Sequence, residues 1–165
     1  MAALISPELM EETWKSVAQM SADQLQRRQA LCGEEQEELT GFALAFLADL
    51  SPDAGGVGLY AHVVLMEAFR RTNARFRKLS AAKIERAWEA NLDFVEELKR
   101  AVKGRQPFQV QADKYPEPAA LQYAVDALTE VDEEDPVDIA DDEFWHVLRL
   151  LKTIVDCMHD AQRAR

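Results

Sequence analysis

The chain has 165 residues, 48% hydrophobic and 30% charged, with 30 acids against 19 bases and a formal charge of −11. This length suits one domain, 1–165, with a self-sufficient core, and the hydrophobic share argues against global disorder. The net charge repels phosphate at long range, which argues against a general nucleic-acid or anionic-membrane binder for the molecule as a whole.

Residues 1–12 lack a basic region followed by a long apolar run, so no secretory signal is read there. The longest apolar stretches, 42–50 and 57–69, contain Asp49, His62 and Glu67. They are shorter than the ~20 residues a bilayer span requires. Two cysteines, Cys32 and Cys157, are too few for a disulfide framework and lack CxxC spacing. They read as reduced, partly buried thiols of a cytoplasmic protein.

In chain order, Ser6-Pro7-Glu8 predicts a helix start: a capping hydroxyl, proline in the first turn, then an acid at the positive end of the dipole. Met10, Trp14 and Val17 form its apolar stripe, and Ser21 restarts or bends it before it runs out at Cys32-Gly33. A second helix is expected from the acidic cluster 34–38, with Leu39, Phe42, Ala43, Phe46, Leu47 and Leu50 on one face. Residues 51–56 are expected to end it, with Gly55-Gly56-Val57-Gly58 as a flexible turn. The third helix, about 57–72, is apolar nearly all round and therefore central. The fourth follows Ser80, carries the stripe Ile84, Trp88, Leu92, Val95, Leu98 and Val102, and is expected to stop at Gly104. An irregular connection, about 105–118, holds Pro107, Pro116 and Pro118. A fifth helix then turns Leu121, Val125 and Leu128 inward, an acidic loop spans about 132–142, and a last helix runs from about 141 to 161. No run of alternating β-branched residues appears, so the expected fold is an all-α, single-domain bundle of five or six helices.

Charge is segregated along this framework. Residues 1–69 carry 11 acids and 3 bases, residues 70–105 carry 5 acids and 11 bases, and residues 106–165 carry 14 acids and 5 bases. The basic block opens with Arg70, Arg71, Arg75, Arg77, Lys78, Lys83 and Arg86 against one acid, Glu85. Arginine forks suit carboxylate and phosphate, so Arg70, Arg71, Arg75, Arg77, Lys78 and Arg86 are candidates for a partner- or anion-binding corner. Cations also belong at the C-terminal end of a helix, and neighbouring acidic helices can neutralise them.

Candidate chemistry is otherwise sparse. Glu34-Glu35-x-x-Glu38 places carboxylates on one helical face and resembles the EExxE element of the all-α nucleotide pyrophosphohydrolases, whose acids hold magnesium against substrate phosphates. That resemblance implies Glu34, Glu35 and Glu38 as metal ligands. It covers five residues, and where the family has ExxD this chain has Glu67-Ala68-Phe69-Arg70, a cation in place of the carboxylate. Glu143-x-x-His146 and Asp156-x-x-His159 share one helix, with the two histidines about 220° apart, and so do not converge on one ion. The histidines read as solvated or boundary residues. Residues 132–143 resemble an EF-hand calcium loop at Asp132, Ile139 and Glu143, with Val137 at the glycine position and Pro136 at a ligand position.

No P-loop, dinucleotide fingerprint or Gly-x-Ser-x-Gly elbow is present. No complete catalytic set and no cofactor is read. The expected function is non-catalytic: a cytoplasmic protein-interaction or regulatory protein, with a partner at the basic corner or an acidic face. The alternatives are a metal-dependent phosphohydrolase and phosphate or nucleic-acid binding through residues 70–86. Homo-oligomerisation is compatible with these charges but not required by them.

Overall fold

The computed structural model describes residues 2–103, 105–130, 134 and 136–163. Seven helices form among them: α1 Pro7–Ala18, α2 Ala22–Glu35, α3 Glu37–Ala48, α4 Pro52–Arg71, α5 Ala81–Ala101, α6 Pro118–Thr129 and α7 Asp141–Asp160. The all-α expectation holds, and the helix count exceeds it by one. The extra helix arises at Ser21. Its hydroxyl accepts the Gln24 amide at 3.2 Å while the Gln24 side chain accepts the Ser21 amide at 2.8 Å. That reciprocal capping box satisfies helix-start donors, so the chain begins α2 there instead of bending α1.

Two other boundaries differ from expectation for tertiary reasons. Gln36, at φ −139 and ψ 74, breaks the backbone between α2 and α3. Its side chain is only 3% exposed and is committed elsewhere: Nε2 donates to the Arg77 carbonyl at 2.8 Å, and Oε1 accepts the Leu79 amide at 3.0 Å. The glycine run lies inside α4 and is not a turn, because Ser51 caps the helix and Pro52 opens it. A Cβ on Gly58 would come within 2.4 Å of Leu47 Cδ2 and 3.3 Å of Val147 Cγ1, and one on Gly55 within 3.0 Å of the Leu47 carbonyl oxygen. The missing side chains let α3 and α7 seat closely on α4, which offsets the ~1 kcal/mol that each helical glycine costs. The expected stop at Gly104 and the loop residue Asp132 lie outside the described residues.

The central helices are α4 and α7. The former packs on α1, α2, α3, α6 and α7, and the latter also covers α5 and α6. Phe69 and Leu65 from α4 meet Phe144, Leu148, Leu151 and Ile154 of α7 in a core cluster, all below 2% exposed. At ~1.5–3 kcal/mol per fully buried large side chain, this burial outweighs any surface pairing in the fold. Asn73, in the left-handed region at φ 61, turns the chain out of α4. Residues 75–77 then run extended against 161–163. The Arg77 amide donates to the Ala161 carbonyl at 2.7 Å, and the Arg163 amide donates to the Arg75 carbonyl at 2.7 Å. No helix among the described residues is long and apolar enough to cross a membrane.

His62 sits inside this core, fully buried, with neither ring nitrogen hydrogen-bonded. It is therefore not the solvated or boundary residue expected from sequence. Burial pulls its pKa down to about 4. The unfolded chain takes up that proton near pH 6.5 and the folded chain does not. Stability must therefore fall as pH drops from 6.5 towards 4, and is unaffected by this group above about pH 7. Through His62 alone the protein should lose about 2 kcal/mol between pH 7 and pH 5. Urea titrations of wild type and His62→Leu at the two pH values check this: the substitution should flatten the difference by that amount. The glycine assignment is tested the same way. Gly58→Val should destabilise by about 1–3 kcal/mol. Gly41→Ala, whose Cβ would meet nothing within 4 Å, should stabilise by up to ~1 kcal/mol.

Candidate functional site

The basic corner divides into inward- and outward-facing halves. Glu67, on α4 and only 3% exposed, is the acceptor that divides it. It pairs with Arg70 one turn on, accepts Arg71 Nε at 3.3 Å, and has Arg28 of α2 at 3.8 Å. Arg70 also donates through Nε at 2.8 Å and Nη2 at 2.5 Å to Glu35, and Arg71 reaches Ser16 at 2.9 Å. A buried carboxylate demands such compensation, so these two arginines are committed to the fold. Arg77 donates to the Asp160 carbonyl at 3.0 Å, at the C-terminal end of α7. Arg75, Lys78, Lys83 and Arg86 are exposed and have no side-chain partner among the described residues.

The acid triplet is not assembled on one face. Glu34 and Glu35 close α2, whereas Glu38 lies in the first turn of α3 beyond the break at Gln36. Glu35 is occupied by Arg70. Among the described residues, no group of three or more His, Cys, Asp or Glu side chains is placed to share a metal ion. Burial pushes both thiols up, Cys157 to about 12, with Asp156 and Asp160 adding to the effect. Both sulfurs are therefore protonated and weakly nucleophilic at neutral pH.

The Glu143 and His159 motifs serve the fold. Glu143 accepts the Ser51 amide at 2.8 Å and its hydroxyl at 3.0 Å, joining the start of α7 to the start of α4. The Ser51 amide bond, partly opposed by desolvation, holds that carboxyl below its usual range. His159 is 5% exposed, again contrary to the solvated expectation, and its Nδ1 lies 2.5 Å from Glu117 Oε2. Glu117, just before α6, is 1% exposed and also accepts the Leu4 amide at 2.9 Å and the Ile5 amide at 3.0 Å. One buried carboxylate thus fastens the N-terminal segment, the start of α6 and the last turn of α7.

That junction shapes a groove of about 990 Å³ between α1, α4 and α6. Leu4, Ile5, Met10 and Trp14 form one wall, Val57 and Tyr60 of α4 another, and Ala119, Tyr123 and Ala127 of α6 a third. Trp14 is 41% and Tyr60 37% exposed, unusually open for large aromatic side chains. Burial raises the Tyr60 and Tyr123 phenols, so both remain neutral donors. The charged lining residues among those described are Glu11, Asp126 and Glu130; no Lys, Arg or His lines it. Glu11 also meets Lys15 at 2.8 Å in an exposed pair worth ~0–1 kcal/mol, too little to cancel the acidic rim.

Sequence periodicity missed this site. Trp14 belongs to the expected core stripe of its helix, Tyr60 to a helix expected to be covered nearly all round, and Tyr123 falls off the inward face of its helix. The available signal was Tyr123, an aromatic residue off the inward face of an amphipathic helix. Comparison with protein-family models, curated proteins and solved structures found no match.

The Glu117 junction makes a direct prediction. Glu117→Ala should lower stability by roughly 3 kcal/mol, because His159, the buried Ile5 amide and the partly buried Leu4 amide lose their acceptor. Hydrogen exchange at Leu4 and Ile5 should accelerate to the unprotected rate. Unchanged protection there would show that the carboxylate is not what holds the segment.

Proposed function

We propose that the protein is a non-catalytic interaction module whose groove between α1, α4 and α6 receives a cationic amphipathic helix of a partner protein. The observation that carries this reading is the pairing of an apolar floor with an acidic, base-free rim. Apolar side chains of a docked helix at i, i+3/i+4 and i+7 fit a cleft of this size, and Trp14, Tyr60 and Tyr123 supply large, stiff contact surfaces. The rim selects for charge: Lys or Arg beside the apolar stripe would meet Glu11, Asp126 and Glu130, whereas an anionic ligand would be repelled. The body's charge of −11 extends that selection to long range and speeds encounter with a basic partner. The setting of this reading is the cytoplasm, where Cys32 and Cys157 persist as thiols.

Calorimetric titration with two designed helical peptides of equal apolar content tests it, one carrying Lys and the other Glu on the polar face. The Lys peptide should bind and the Glu peptide should not. Ala127→Trp, which fills the groove, and the double charge reversal Asp126→Lys with Glu130→Lys should each weaken binding by at least about tenfold. Circular dichroism shows whether each variant remains folded. Undiminished binding to folded, groove-filled Ala127→Trp would sink the assignment, since any attraction would then be diffuse.

A further inference from the structure

Arg75 and Lys78, from the outward half of the basic corner, lie on an extended segment with one free backbone edge. Between Asn73 and Ser80, alternate peptide groups point to opposite sides of the chain. One side is fully used: the Arg75 carbonyl and Arg77 amide pair with residues 161–163, and the Gln36 side chain takes the Arg77 carbonyl and the Leu79 amide. On the other side, the amide and carbonyl of Phe76 and of Lys78 have no partner among the described residues. Two side chains anchor the segment in the core. Phe76 packs edge-on against Phe69 with ring centroids 5.8 Å apart, and Leu79 is 7% exposed. Arg75, Arg77 and Lys78 are exposed around the free edge, with Lys83 and Arg86 in the first turns of α5 beyond it.

We infer that residues 75–79 are a docking edge for an acidic, extended peptide segment, which adds a strand through the Phe76 and Lys78 backbone and sets its carboxylates against Arg75, Lys78 and neighbouring bases. Charge complementarity selects the partner's sign, because this is the one block of the chain with excess bases. Backbone chemistry selects its class. Two donors alternate with two acceptors along the edge, which complements another peptide backbone. A phosphate chain offers acceptors only and would face the Phe76 and Lys78 carbonyls without a proton to share. This surface involves none of the groove residues, so the inference is independent of the function proposed above.

The test uses fluorescence anisotropy with a labelled peptide of about ten alternating Glu and Val residues. Two comparison probes are the same peptide N-methylated at every residue, which keeps every charge but removes the donors of both strand edges, and a single-stranded oligodeoxynucleotide of matched charge. The unmodified peptide should bind, and the N-methylated peptide should bind at least about tenfold more weakly. Arg75→Glu with Lys78→Glu should weaken the unmodified peptide by a similar factor. Lys78→Pro, which deletes an edge donor, should weaken it more than Lys78→Gln, which deletes the charge alone. Equal binding of the N-methylated and unmodified peptides would overturn the strand-addition inference. Tighter binding of the oligonucleotide would overturn the choice of partner and identify a phosphate-binding patch instead.

Discussion

The buried carboxylate of Glu117 is the constraint on which much of the arrangement depends. It accepts backbone amides from residues 113 and 112 positions away in sequence and lies against His159 on a third element. Each of those groups, left unpaired at this depth, would cost about 1–3 kcal/mol. Satisfying them together brings the N-terminal segment onto α6 and inserts Ile5, 1% exposed, into the core. That places Leu4 and Ile5 opposite Ala119, Tyr123 and Ala127, and the groove is the space left between them. A polar contact with no hydrophobic signature therefore shapes an apolar groove.

Gln36 plays the corresponding part on the other side of the fold. Its primary amide uses one N–H donor and its carbonyl acceptor here, as a peptide group does, and it continues the pairing begun by residues 161–163. The cost is a break between α2 and α3. The consequence is a fixed extended segment carrying several bases, with its second edge free. Glu67 completes the division of charge by drawing Arg70, Arg71 and Arg28 towards a buried acceptor. The basic block is thus partly consumed by the fold, through Arg70, Arg71 and Arg77, and partly presented, through Arg75, Lys78, Lys83 and Arg86.

Local signals were the legible ones. Ser6-Pro7 and Ser80 cap helices as expected, because a cap depends only on the chain within three or four residues, whereas Ser51-Pro52, expected to end a helix, starts one. The α5 stripe faces the core for a similar reason, since helical periodicity sets which residues share a face: Ile84 and Val95 are buried, and Trp88, Leu98 and Val102 pack half-buried against the core. The stripes did not predict how far a neighbour covers each face. Trp14 and Leu92 both sit on expected stripes, yet they are 41% and 47% exposed. The glycines near position 55 failed for the converse reason: glycine is read locally as freedom, whereas here it is space for Leu47 and Val147.

By itself, then, the sequence determined the helical class, most helix starts, the apolar faces and the segregation of charge, because each is encoded within a few turns of chain. Tertiary structure alone decided which charges are spent internally, where the chain breaks at Gln36, and that α1, α4 and α6 leave an acidic-rimmed apolar groove. Those features arise from contacts between residues tens to more than a hundred positions apart. A carboxylate, an amide or a glycine carries no local mark of the distant group that it will satisfy or make room for.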